Sequence, residues 1–246
     1  MDRSLFIAMS GAKQTLLAQA SNANNLANAQ TTGFKSDLEQ FRSMPVFGPG
    51  YPTRVYAMAE RPGSDMSMGS IQTTGNELDV AIKGEGWFVV EGENGNEAYT
   101  RAGNLKITPE GRLLTGSDSA IYGNDGPITL PPAEKITIGS DGTISIVPIG
   151  GNASDSVVVD RIKMVKPELK NLEKLGDGLM HTKDGSVPGA DANISMVQGA
   201  LEGSNVNAVS AMVEMIELAR NFELQTKVMK NADDNSGVSA KLMQMA

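Results

Sequence analysis

VNAVSAMVEMIELARNFELQTKVM, residues Val206–Met229, decides the architecture. Met212, Ala219 and Thr226 recur every seven residues, and Met215, Phe222 and Met229 form a second row between them. Two interleaved rows at that spacing make a helical seam that needs a partner helix. The same period runs through LFIAMSGAKQTLLAQASNANNLAN, Leu5–Asn28, at the other end of the chain. There Leu5, Ala12, Gln19 and Leu26 form one row; Ala8 or Met9, Leu16 and Ala23 form the other. Both seams are small or polar in places, so neither supports a robust helix pair alone. The expected fold class is α+β: N- and C-terminal helices pairing in a coiled-coil-like layer, with each other and with copies from other chains, around an inserted antiparallel all-β domain.

Proline and charge mark the same division. All 11 prolines of the 246 residues fall between Pro45 and Pro188, which suits helical ends around a non-helical middle. The net charge of −8 is carried by the middle, since the two ends nearly cancel. The expected organisation is an N-terminal helix over 1–33, an extended connector over 34–75, a β domain over 76–203 and a C-terminal helix over 204–246. The connector holds Phe34, Phe41, Val46, Phe47, Tyr51, Val55 and Tyr56, too apolar for a free tether, and they are expected to dock.

From Leu78 the period changes from seven to two. Leu78, Val80 and Ile82 alternate with Asp79, Ala81 and Lys83, as in a half-buried strand. Trp87–Val90 and Ala98–Arg101 flank the Asn94-Gly95 turn, a hairpin signal because both residues tolerate positive φ. Further short strands are expected at 105–108, 112–115, 136–138 and 143–147, and one longer strand over Val157–Val165. Strands this short, with turns this frequent, suggest a sandwich or barrel-like domain. Glycines break any period across 166–203, which is left unassigned. Asn22, Asn24, Asn25 and Asn28 crowd the end of the first helix. They read either as a fraying end that runs into Gly33 or as amides that bond across a packed interface.

No catalytic constellation is present. There is no cysteine, and His181, the single histidine, lies in a Gly-rich polar stretch where a solvated loop residue is the simplest reading. Gly84-Glu85-Gly86 lacks the third glycine of a dinucleotide fingerprint and opens onto a strand. No cofactor, metal or small-molecule substrate is expected, and the acidic balance argues against nucleic acid. No stretch reaches the ~18 apolar residues of a membrane span, and the five-residue run Leu5–Met9 is short for a cleaved signal peptide. Trp87 and Tyr99 are the only candidates for a sugar-reading or adhesive sheet face, and core positions suit both better.

Three blocks carry a family resemblance. Ala23-Asn24-Asn25-Leu26-Ala27-Asn28 with Thr31-Thr32-Gly33-Phe34-Lys35 resembles the N-terminal signature of the flagellar rod, hook and hook-associated axial proteins. Thr74–Ile82, Gly84–Phe88 and Tyr99-Thr100-Arg101-Ala102-Gly103 resemble the central block. Leu201–Asn207, with Met215, Ile216, Arg220, Phe222, Glu223 and Lys227, resembles the C-terminal block. Trp87 stands where a second phenylalanine is common, a conservative change. Met1-Asp2-Arg3, Pro62–Met66 and Asp233-Asp234-Asn235 point within the family to a proximal-rod member, with the distal rod protein as the alternative. The hook protein is usually longer. A secreted β-domain binding module is the rival outside the family.

The resemblance implies a structural, non-enzymatic subunit of the bacterial flagellar basal body. Such a subunit is exported without signal cleavage and polymerises with itself and adjacent rod proteins into a helical tube in the periplasm. On that basis the assembly contacts are expected at Leu5, Leu16, Asn24, Asn25, Leu26 and Asn28, and at Met212, Met215, Phe222 and Met229. Isolated helices with Asn and Thr in the seam are marginal, so the ends are expected to order fully only on docking.

Overall fold

The computed structural model describes residues 3–45, 47, 55–93, 95–150 and 156–244. Helix α1 spans Arg3–Ala27 and α2 spans Ala208–Gln244. Between them lie β1 (Asp37–Pro45), β2 (Val55–Ser64), β3 (Ile71–Thr73), β4 (Val80–Lys83), β5 (Trp87–Glu91), β6 (Glu97–Thr100), β7 (Leu105–Ile107) and β8 (Leu113–Thr115). They are followed by β9 (Ala133–Ile138), β10 (Thr143–Pro148), β11 (Val157–Arg161), β12 (Met164–Val165), β13 (Leu172–Lys174), β14 (Met180–Thr182), β15 (Ser195–Gln198) and β16 (Ala200–Glu202). The chain is α+β and forms two compact units. One comprises 1–29, 37–63 and 206–246; the other comprises 30–36 and 64–205.

In the helical unit, α1 and α2 run antiparallel. Asn22 Nδ2 donates to the Ala211 carbonyl at 2.7 Å, and a Cβ on Gly11 would stand 3.1 Å from the Gln225 amide. Ala8, Ala12, Thr15, Ala18 and Asn22 are buried on α1, as are Ala211, Leu218 and Ala232 on α2. The expected row Leu5, Ala12, Gln19, Leu26 is buried or half-buried, but its companion is Ala8, Thr15, Asn22, and Leu16 faces outward. On α2 the row Met215, Phe222, Met229 is half-buried as its spacing suggests. Its companion is Ala211, Leu218, Gln225, one residue away from the expected Met212, Ala219, Thr226. The buried row on α2 includes Leu218 as well as Ala211, so the offset is one of register along the helix. Helices α1 and α2 are each continuous over their ranges. Asn207 caps α2 by accepting from the Val209 and Ser210 amides at 3.0 and 3.2 Å. The weak point expected at Asp233–Gly237 is helical throughout.

The connector is more structured than its composition suggests; of its apolar residues, Val46 and Tyr51 lie outside the described residues. β1 and β2 form a two-stranded sheet within the helical unit, and β3 pairs with β16 in the other. The reading of an amide that bonds across a packed interface holds for Asn22. Asn22 bonds across the helix pair, while Asn28 Nδ2 turns back to the Asn24 carbonyl at 3.0 Å. Asn25 exchanges two bonds of 2.9 Å with the Asp37 backbone, fastening β1 to the end of α1.

The second unit is antiparallel throughout its paired strands, in several small sheets. The largest orders its strands β12-β5-β6-β14-β13; another orders them β11-β10-β9. The stretch expected as one strand over Val157–Val165 divides, with β11 pairing β10 and β12 pairing β5. The unassigned residues 166–203 supply β13 to β16. Val80, Ala81 and Ile82 are all buried, so β4 is covered on both faces and is not half-buried as its alternation implied. One core cluster gathers Val80, Ile82, Phe88, Leu113, Ile121, Ile144 and Ile162; a second holds Trp87, Val89, Tyr99 and Val165. Trp87 and Tyr99 are therefore core, as expected. In the β5–β6 turn Gly95 has φ +73°, while Asn94 lies outside the described residues. His181 sits on β14, half-buried, and its Nε2 lies 2.8 Å from Asp177 Oδ2. It is a strand residue with a carboxylate partner, where a solvated loop residue was expected.

Candidate functional site

Two features stand out, one in each unit. The first is the outer surface of the helix pair. Leu218 is buried with the small residues of the pair, yet many large apolar side chains of both helices remain exposed. Leu16 is 48% exposed, Met212 53% and Ile216 56%; Phe6, Met9, Leu17, Val213 and Leu224 are exposed as well. In a finished helix pair these would be the buried residues. Of the expected assembly contacts, Leu16, Asn24 and Met212 lie on this open surface. Leu5, Leu26, Met215, Phe222 and Met229 are half-buried along the seam. Asn25 and Asn28 are occupied by the bonds already described. The β1–β2 ribbon extends the apolar surface, with Leu38, Phe41, Met44 and Val55 exposed.

The second feature is a buried charge cluster in the β unit. Glu202, at the end of β16, is 1% exposed. Its Oε1 accepts from Lys35 Nζ at 2.7 Å and from the Gly69 amide at 3.0 Å; its Oε2 accepts from Arg101 Nη1 at 2.8 Å. Lys35 Nζ also donates to the Ser67 carbonyl at 2.7 Å, and Arg101 Nη2 to the Gly84 carbonyl at 2.8 Å. The Arg101 guanidinium lies 5.5 Å from the Trp87 ring centroid, within cation–π range. Burial pushes the Lys35 ammonium and the Arg101 guanidinium below their ordinary pKa values, and the Glu202 carboxylate opposes the shift at both.

Backbone pairing surrounds the cluster. The Gly33 amide donates to the Glu202 carbonyl at 2.8 Å, the Gly203 amide to Ser70 at 2.9 Å, and the Asn205 amide to Phe34 at 3.3 Å. The Asn205 side chain accepts from the Ser36 amide and donates to the Asp65 carbonyl, both at 2.8 Å. Lys174 Nζ stands 3.8 Å over the Phe34 ring, the docking expected for that residue. The glycines are there because the backbones touch. A Cβ on Gly69 would fall 2.0 Å from the Gly203 carbonyl oxygen, and one on Gly103 1.7 Å from that of Val80. Gly33 has φ +69° and would meet the Ala102 amide at 2.3 Å.

Sequence reasoning missed this cluster. Lys35, Arg101 and Glu202 are far apart in the chain, and each reads alone as a surface charge. The available signal was that each lies within two residues of a glycine in a block of the family resemblance. Among the described residues no group of acidic, histidine or cysteine side chains could hold a metal ion, and no helix is long and apolar enough to cross a membrane.

The comparisons with known proteins follow the same three blocks. Residues 5–35 match the family model for flagella basal body rod proteins, and residues 81–146 match the D1 domain of the flagellar hook protein FlgE/F/G. Residues 197–242 match the C-terminal domain of the flagellar basal body rod FlgEFG proteins. Over its full length the chain is 42% identical to the flagellar basal-body rod protein FlgF of Salmonella typhimurium and 41% identical to that of Escherichia coli, covering all of both. It is 31% identical to the rod protein FlgG of Bacillus subtilis, over 95% of this chain and 96% of that one. With full-length similarity to FlgF, and three family models in the order of its own blocks, the chain belongs to the flagellar basal-body rod protein family.

Proposed function

We propose that this rod subunit polymerises through its terminal helices, in a coiled-coil-like layer, into a helical tube with its own kind and with adjacent proximal and distal rod proteins. The observation that carries the reading is the number of large apolar side chains exposed on both helices, Leu16, Met212 and Ile216 among them. A contiguous apolar surface of this kind marks a protein–protein contact. Subunits stacked head to tail offer two different faces to each other, so the contact propagates along a tube. Torque passes through the packing of these faces, with no substrate turned over. The exposed apolar β1–β2 ribbon adds contact area between subunits.

The assembled site is the periplasmic rod, reached by export without signal cleavage. The test is location. A tagged copy should co-purify with isolated basal bodies and carry its own Met1 in mass spectrometry of the recovered chain. A tagged copy absent from basal bodies, or recovered with a shortened N-terminus, contradicts the reading.

A further inference from the structure

We propose that Lys35, Glu202 and Arg101 form a latch that holds residues 33–36, 65–70 and 202–205 in one arrangement, and that Lys35 is its positioning residue. These segments lie where the chain crosses between the β unit and the helical unit in sequence. The proposal rests on the rod-subunit reading for its consequence in assembly, and on the geometry of the β unit alone for the latch itself.

A role beyond plain stabilisation follows from the charge balance. Two cations share one carboxylate in a site where Lys35, Arg101 and Glu202 are each at most 4% exposed. Arg101 Nε is buried without a hydrogen-bond partner among the described residues. A buried cluster of this kind adds little net stability, because desolvation offsets most of the attraction. Its geometric content is large, since hydrogen bonds weaken outside a narrow range of distance and angle.

Lys35 ties the three segments together. Its ammonium reaches from the 33–36 passage to Ser67 on one side and Glu202 on the other. The Gly33 and Asn205 amides then close the two passages on each other. Apolar packing is a poor substitute here, because Gly33, Gly69 and Gly203 have no side chains to interlock. Charges carry the register instead, as a buried polar residue can in other contexts.

The experiment is Lys35→Met in the full chain, with amide hydrogen exchange read by NMR and motility read in a strain lacking the native copy. Lys35→Met keeps the apolar stem and leaves a neutral Glu202–Arg101 pair. The Gly33 and Asn205 amides should exchange about tenfold faster or more, as local opening predicts. The Ile121 and Ile128 amides, bonded within the β core, should keep their rates. Swimming should fall to well under half of the native speed. Glu202→Gln, which retains an acceptor, should accelerate the same two amides.

Unchanged rates at Gly33 and Asn205 in both variants overturn the latch. So does equal acceleration across Ile121 and Ile128, which would mark a purely global stabiliser. Normal swimming with loosened amides removes its role in assembly. Should a strain without the chain still build rods, the rod reading fails, and the amide rates alone decide the latch.

Discussion

Lys35 and Glu202 meet at 2.7 Å, each side chain 1% exposed, across 167 residues of sequence. The contact joins the block that follows the first helix to the block that precedes the second. Removing the carboxylate leaves two cations buried without their shared partner. Glu202→Leu should therefore destabilise the β unit by about 3–5 kcal/mol, the range for breaking a buried ion pair from one side. Chemical denaturation followed by Trp87 fluorescence measures this, and a loss below about 1 kcal/mol would show that the cations relax to solvent.

Tyr99 sets an alkaline limit. Burial, aided by the nearby Glu97 carboxylate, pushes its hydroxyl up to about 12. A phenol whose folded value is raised contributes stability that is complete below pH 10 and lost as pH rises through about 12. Thermal unfolding should hold steady to pH 10 and fall across that window, and Tyr99→Phe should flatten the fall. An identical fall in Tyr99→Phe would place the sensitivity elsewhere.

Gly69 has no room for a side chain. A methyl group there would stand 2.0 Å from the Gly203 carbonyl oxygen, a backbone atom that cannot turn aside. Gly69→Ala should part the 65–70 and 202–205 segments and speed exchange of the Gly203 amide. Gly176→Ala, where nothing lies within 4 Å, is the matched control and should leave exchange unchanged.

Asn22 fixes the helix pair. Its amide reaches the Ala211 carbonyl at 2.7 Å from a site 5% exposed. Asn22→Ala should cost about 1 kcal/mol, the net worth of one such bond. Urea denaturation followed by far-ultraviolet circular dichroism of the helical unit reads it. An unchanged midpoint would show that water replaces the amide.

Much of the helical layer was legible in the sequence. The seven-residue period located both helices to within a few residues, and Met215, Phe222 and Met229 are half-buried. The companion rows were not legible. Ala8 is buried as its place in the row implied, but Thr15, Asn22 and Ala211 lie one residue off the expected positions Leu16, Ala23 and Met212, and two of them are polar. Most short β strands announced themselves through Gly and Asn turns. β13 to β16 did not: glycines interrupt any alternation across this stretch, and β15 and β16 pair with β4 and β3, more than a hundred residues earlier. The Lys35–Glu202–Arg101 cluster was invisible for the same reason: a charge reveals its partner only when the chain has folded.

The outward placement of Leu16 and Met212 is the claim on which the account turns. The substitution Phe222→Asp would confuse the issue, since Phe222 is half-buried on the seam within the chain. Leu16→Asp combined with Met212→Asp alters only exposed positions. The deciding measurement is a count of rods by electron microscopy in a strain whose only copy carries both changes, with circular dichroism of the purified protein alongside. The account predicts a native-like spectrum and few or no rods. Rods at the native number and length would contradict it.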